Sequence, residues 1–162
     1  MSWLQRIGTR LLAPLAVLAA VAVGSAALAL AASGPTNATA ARAVKVQLRR
    51  GPLGRYLVDA RGRALYLFEK DRGGRSACYG SCASVWPPLL AGGRVARGAG
   101  VSAAKLATVQ RRGGARQVTY GGHPLYFYAG DQRAGQTRGQ GLNQFGAKWY
   151  VLAASGNKID KD

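Results

Sequence analysis

Tyr66-Leu67-Phe68-Glu69-Lys70-Asp71 returns sixty positions later as Tyr126-Phe127-Tyr128-Ala129-Gly130-Asp131, two copies of one pattern, Tyr-x-aromatic-x-x-Asp. The likeness runs outward from both copies. Gly62-Arg63-Ala64-Leu65 precedes the first and Gly122-His123-Pro124-Leu125 the second. After gaps of unequal length, Trp86-Pro87-Pro88-Leu89-Leu90 answers Trp149-Tyr150-Val151-Leu152-Ala153. Self-similarity of this kind sets an architecture, and two copies are too few for a stacked solenoid. The reading is a duplicated half-domain closed into one unit.

Each copy reads as a hairpin. Tyr56-Leu57-Val58 passes through Asp59-Ala60-Arg61-Gly62 into 64–68, and Gln117-Val118-Thr119-Tyr120 passes through Gly121-Gly122 into 125–128. Gly62 and Gly122 sit where a tight turn needs a positive φ, which glycine adopts without a Cβ clash. In the second strand of each hairpin both faces are apolar. Leu65 and Leu67 oppose Tyr66 and Phe68, and Leu125 and Phe127 oppose Tyr126 and Tyr128. A strand apolar on both faces is covered on both sides, so these two strands are expected at the centre.

Around them, Val44, Val46 and Leu48 alternate with polar residues as a half-buried strand does. Residues 102–106 suggest one helical turn capped by Ser102, 108–110 a strand, 129–146 a Gly-rich loop and 148–153 a last strand. The expected fold is mainly β: a single small domain of two similar β-hairpin repeats with short helical turns and one disulfide.

Residues 1–32 read as a secretory signal peptide: Arg6 and Arg10 lead an uncharged run from Leu11 to Ala32 with small residues near its end. A retained signal anchor is the alternative, since about 20 apolar residues span a bilayer. A lipid anchor is not expected, because a lipoprotein carries its lipid on a Cys just after the apolar run. Here the two cysteines are Cys78 and Cys82. Residues 33–42 read as a linker and 43–154 as the two-repeat domain, with repeat one at about 52–91 and repeat two at about 115–154. Residues 155–162 form a polar tail.

Cys78-x-x-x-Cys82 in an exported chain favours a structural disulfide. Cβ atoms at i and i+4 of a regular helix lie about 5–6 Å apart, whereas a disulfide needs about 3.5–4.5 Å. The bridge therefore predicts a tight loop or distorted turn, consistent with Gly80 between the cysteines. A redox-active dithiol or contact with metal or haem is the alternative, although no Cys-x-x-Cys-His attachment motif is present.

His123, the one histidine, aligns with Arg63 of the other copy and precedes a proline at a turn. It reads as a polar turn residue first and as a ligand or metal contact second; a tetrahedral zinc site would need Cys78, Cys82 and one Asp brought to it. Asp71 and Asp131 end their motifs where a strand enters a loop, and such carboxylates accept backbone amides and fix the turn. Tyr66 and Tyr126 are expected to pack their rings and place each hydroxyl on a polar partner; one arrangement that does this is each copy's Asp or loop backbone receiving the other copy's Tyr. The alternative is that the paired Tyr and Asp residues flank a ligand cleft at the repeat interface; Phe68 and Tyr128 complete the repeat motif. Glu69 with Asp71 would be the acid and base of a hydrolase, but beside Lys70 and Arg72 they read as a solvated strand end. No nucleophile elbow and no phosphate-binding glycine loop occurs in the sequence.

Lys and Arg total 23 against 6 Asp and Glu, a formal charge of +17, and removal of residues 1–32 leaves about +15. Such an excess favours anionic partners: lipid headgroups, phosphate-bearing wall polymers or nucleic acid. Export removes the usual nucleic-acid partners and the basic residues are scattered, so nucleic acid is not expected. No cofactor is expected from the residues, and a membrane partner only if the signal segment is retained.

Together these residues resemble a family of predicted bacterial lipoproteins and secreted repeats defined by the Tyr-x-aromatic-x-x-Asp motif. The likeness covers about Val44 to Ala154 and includes Cys78-Tyr79-Gly80-Ser81-Cys82-Ala83 and Val118-Thr119-Tyr120-Gly121-Gly122-His123-Pro124. It implies an extracytoplasmic domain of two repeats with no settled activity. The functional expectation is an exported envelope domain with a binding or structural role. A redox or electron-transfer accessory using the Cys pair is the alternative, with a hydrolase well behind.

Overall fold

In the computed structural model, which describes residues 43–161, strand β1 (Val44–Gly51) lies antiparallel to β2 (Gly54–Asp59), which turns through Ala60-Arg61-Gly62 toward β3 (Tyr66–Phe68). A short helix α1 (Ser81–Val85) and strand β4 (Val95–Arg97) follow, then a 3-10 turn at Ala103–Lys105. The second half contains β5 (Leu106–Gln110), β6 (Arg116–Tyr120), β7 (His123–Pro124), β8 (Asn143–Gln144) and β9 (Ala147–Val151). The signal segment expected at 1–32 and the linker expected at 33–42 lie outside the described residues, as does Asp162.

The strands form three small sheets, ordered β2-β1-β4, β3-β9-β8 and β5-β6-β7. The domain is mainly β, as its hairpin patterning predicts. Both turns rest on left-handed glycine, but they differ in length. Gly62 (φ +80°) closes a three-residue loop between Asp59 and Arg63, whose backbones meet at 3.0 Å. Gly121 and Gly122 (φ +58° and +83°) close a two-residue loop between the paired Tyr120 and His123.

Several hydrogen bonds recur at equivalent positions of the two repeats. Leu57 N–H donates to Leu152 O at 2.9 Å, and Val118 N–H to Leu89 O at 2.9 Å. Leu65 N–H donates to Leu57 O at 3.0 Å, and Leu125 N–H to Val118 O at 2.9 Å. Tyr66 and Tyr126, the equivalent positions, bond to each other in both directions. An antiparallel pair has a local two-fold between its members, so equivalence plus mutual pairing places a pseudo-dyad between these residues. Each repeat takes its closing strand differently. β9 pairs regularly with β3, whereas its counterpart holds Pro87-Pro88, which lack donors. That segment bonds through the N–H groups of Leu89 and Ala91 and the carbonyls of Val85, Pro87 and Leu89, and makes isolated bridges at Pro88 and Leu90.

Period-two alternation divides the core. Leu57, Leu65, Leu67, Leu125, Tyr150 and Leu152 enter an aliphatic cluster with Val46, Leu89, Val101, Val118 and Tyr120. Tyr56, Val58, Tyr66, Phe68, Tyr126, Trp149 and Val151 face the other way, into an aromatic cluster with Trp86 and both cysteines. The central strands are covered on both sides, as expected from their two apolar faces.

Two local expectations are refined. Ser102 stands at the N-cap of the 3-10 turn but makes no side-chain cap; its N–H donates instead to Tyr120 Oη at 3.1 Å. The loop expected over 129–146 ends in β8, which pairs with the start of β9.

Candidate functional site

Asp71 and Asp131 leave their strands through the same turn: Asp71 N–H donates to Phe68 O and Asp131 N–H to Tyr128 O, both at 3.0 Å. One carboxylate oxygen then holds the following loop. Asp71 Oδ1 accepts Ala77 N–H at 2.7 Å and Asp131 Oδ1 accepts Arg138 N–H at 2.9 Å. The other oxygen reaches across the dyad. Tyr66 Oη donates to Asp131 Oδ2 at 2.5 Å and Tyr126 Oη to Asp71 Oδ2 at 2.9 Å. The motif's Tyr and Asp thus bond between repeats, not within one.

The two latches differ in their surroundings. Ser76 Oγ lies 2.8 Å from Tyr126 Oη, and Arg111 Nη1 donates to that same Ser76 oxygen at 2.8 Å. Arg111 is buried at 8 % exposure; it also donates to the Gln117 amide oxygen and, at 2.6 Å, to Cys78 O. On the Tyr66 side, Gly139 N–H donates to the phenol oxygen at 3.3 Å. Burial, with the neighbouring carboxylate adding to it, pushes both phenols above their ordinary range. Burial also raises Asp71 to about 6, against the pull of Ala77 N–H, Tyr126 and the charge of Arg111.

Between the latches runs a column of rings. Phe68 stacks on Trp149 at 4.0 Å and Trp149 on Trp86 at 3.9 Å, and Tyr128 packs against Trp86 at 4.5 Å with its ring tilted by 33°. Tyr66 meets Trp86 edge-on at 5.3 Å and Tyr126 meets Trp149 edge-on at 5.1 Å. Gln144 serves both indoles, accepting Trp86 Nε1 on its side chain at 2.9 Å and Trp149 Nε1 on its carbonyl at 3.1 Å. Among the described residues every buried side-chain nitrogen and oxygen has a partner.

Cys78 and Cys82 are bonded to each other, with Cα atoms 5.2 Å apart. The bridge enters α1 at its first turn, with Gly80 (φ +56°) supplying the bend. Both sulfurs being engaged, the zinc set of Cys78, Cys82, His123 and one Asp is not assembled. Among the described residues no three His, Cys, Asp or Glu side chains gather as a metal site. His123 is half-buried, and burial lowers its pKa. It lines a cleft of about 440 Å³ with Glu69, Asp71, Arg72 and Lys158. Glu69 is paired there with Lys158 at 2.9 Å. Asp131 does not line this cleft, so Glu69, Asp71 and Asp131 are not brought together in it.

Sequence reasoning missed Arg111, Ser76, Gln117 and Gln144. Arg111 opens the Arg111-Arg112-Gly113-Gly114 turn, and nothing in its local pattern separates it from the exposed Arg112. The common signal is spatial: Arg111, Ser76 and Gln144 meet groups distant in the chain, and Gln117 joins them through Arg111.

A family described as a secreted repeat of unknown function matches residues 49–90 and 107–153, more than half of the chain and one segment per repeat. Comparison with curated proteins and with solved structures gives no significant match.

Proposed function

Because this chain belongs to the family of secreted repeats of unknown function, an extracytoplasmic setting, we propose that its domain is a binding module for anionic polymers of the cell envelope. The observation that carries the reading is how the charges are disposed. Each acidic side chain in the described residues is engaged inside the domain: Asp59 with Arg63, Asp71 and Asp131 with the motif tyrosines, Glu69 and Asp160 with Lys158. The basic side chains far outnumber them and most lie exposed, Arg50, Arg61, Arg94, Arg97 and Arg133 among them. An excess of this size raises the local concentration of polyanions around a surface and is screened by salt.

The test is retention of the exported protein on purified envelope before and after its phosphate-bearing polymers are removed. Retention that needs the polymer and is released by about 1 M salt supports the reading. Equal retention on both preparations, or none on either, contradicts it.

A second reading, an electron-transfer accessory, draws on the column Phe68–Trp149–Trp86–Tyr128, which passes beside the disulfide. Cys78 is fully buried and Cys82 nearly so, and thiol exchange requires access to a sulfur. The polymer-binding reading is therefore the better supported. A disulfide that cycles reversibly at the poise of a cell-surface dithiol would reverse that order.

A further inference from the structure

The link between the repeats, residues 91–105, leaves a channel that neither hairpin uses. β4 pairs with β1 in parallel (Val44 with Val95, Val46 with Arg97) and is the last strand of its sheet. β5 pairs with β6 and is the last strand of another. A channel of about 820 Å³ lies between these two sheet edges, lined by Val95, Ala96, Arg97, Leu106, Ala107 and Thr108, with Arg94 at one wall and Arg116 at the other.

We propose that this channel is the polymer site, and that it takes a linear phosphodiester polymer along its length with Arg94, Arg97 and Arg116 on the phosphates. The proposal rests on the polymer-binding reading and locates it.

Three features select this occupant. First, the lining holds three arginines and no carboxylate. A guanidinium presents a planar fork of donors that matches two phosphate oxygens. Arg116 is already held in place, its Nε and Nη2 lying 3.3 and 2.7 Å from Thr108 Oγ1. Second, the remaining lining is small and aliphatic, with Gly98, Ala99 and Ala103 beside the strands and no aromatic ring. Single-stranded nucleic acid binds by stacking bases on aromatic side chains, and that platform is missing here. Third, both edges are short, three residues in β4 and five in β5. Strand addition by a peptide draws its affinity from a row of backbone bonds, so so short an edge leaves charge as the main attraction. The volume, far above that of one phosphate ion, suits a chain of repeating units.

The experiment titrates a synthetic linear poly(glycerol phosphate) into the purified exported protein. It compares wild type with Arg94→Gln/Arg97→Gln/Arg116→Gln and with a charge-matched control, Arg61→Gln/Arg75→Gln/Arg133→Gln, whose three exposed arginines do not line the channel. The channel variant is expected to lose at least tenfold in affinity, and the control less than threefold. The slope of log affinity against log salt falls by about 2 in the channel variant, as expected for three lost contacts on a flexible polyanion. Since Arg116 also bonds Thr108, Arg94→Gln/Arg97→Gln alone serves as the second variant and is expected to show most of the loss.

Equal losses in channel and control variants would overturn the channel assignment while leaving a diffuse polymer binder. Absence of wild-type binding to the polymer at low salt would overturn the polymer-binding reading as well. Arginine-dependent binding of poly-glutamate tighter than that of the phosphate polymer would make the occupant an acidic peptide and overturn the proposal.

Discussion

Tyr66 and Tyr126, the first residues of the two motif copies, are hydrogen-bonded to each other through their backbones, Tyr66 N–H to Tyr126 O at 2.9 Å and Tyr126 N–H to Tyr66 O at 3.0 Å. Their side chains then leave in opposite senses, each to the other repeat's aspartate. One residue type therefore fixes the repeat interface twice, by backbone and by hydroxyl. The sequence motif is the interface written out once per copy: tyrosine to donate, an aromatic to extend the ring column, aspartate to turn the chain and accept.

The latch hydroxyls have a measurable worth. Tyr66→Phe removes the donor to buried Asp131 and the acceptor of Gly139 N–H, a change that costs about 1–3 kcal/mol when buried partners are stranded. Tyr126→Phe falls in the same range. Tyr128→Phe, in the same column but with no hydroxyl bond among the described residues, changes stability by less than about 0.5 kcal/mol. Urea unfolding midpoints of the three variants check this.

Gly139 admits no side chain. A Cβ built there lies 2.7 Å from Trp86 Cη2 and 3.1 Å from Tyr128 Cβ. Trp86 cannot yield easily, being stacked on Trp149 on one side and packed by Tyr128 on the other. Gly139→Ala is expected to cost about 1–3 kcal/mol by overpacking. Gly113→Ala is the contrast, since its Cβ meets nothing within 4 Å and only the strain of φ +86° acts there. Thermal melts of both variants, with near-ultraviolet circular dichroism of the indoles, separate the ring-column effect from backbone strain.

Asp71 makes stability depend on pH in an unusual direction. Burial raises its carboxyl to about 6 from 3.8. Below pH 3.8 both folded and unfolded chains hold the proton, and the contribution is fully present. Between there and pH 6 the unfolded chain ionises first, so the contribution is lost as pH rises through the folded value. The stability difference between wild type and Asp71→Asn therefore shifts against the wild type from pH 4 to pH 6. Denaturation of both proteins across that window measures it; a difference that is flat or of opposite slope contradicts the assignment.

The disulfide closes a short loop, Cys78 and Cys82 being four positions apart. Loop-closure entropy for so short a span is about 2 kcal/mol. Cys78→Ala/Cys82→Ala is expected to lower stability by about that amount, plus a packing loss where Cys78 is fully buried, without loss of the fold. Calorimetric melting of the variant against the wild type checks it.

Much of this was legible in the sequence, because it is local. Alternation at 64–68 and 125–128 marks strands covered on both faces, and those residues divide between the two core clusters by parity. Gly62 and Gly122 mark turns, and both have positive φ. The cysteines mark a bridge through compartment logic alone. What was not legible depends on pairing between distant segments. The parallel contact of β4 with β1 comes from the link between repeats, where Gly92-Gly93-Arg94-Val95-Ala96 shows no periodicity. Arg111 looks like a turn residue until the fold sets Ser76 and Cys78 O against it. Gly139 reads as one glycine in a Gly-rich loop until Trp86 is placed over it.

The most direct test of the account is a calorimetric titration of poly(glycerol phosphate) into Tyr126→Phe, held well below its melting transition, beside the wild type. Tyr126 holds the repeat interface and the proposed polymer contacts lie on the basic surface. The expected result is a less stable protein that binds the polymer as tightly as the wild type, within about twofold, a difference under about 0.5 kcal/mol. A folded variant whose affinity drops tenfold or more would show that the motif tyrosines form the ligand site, and would contradict the account.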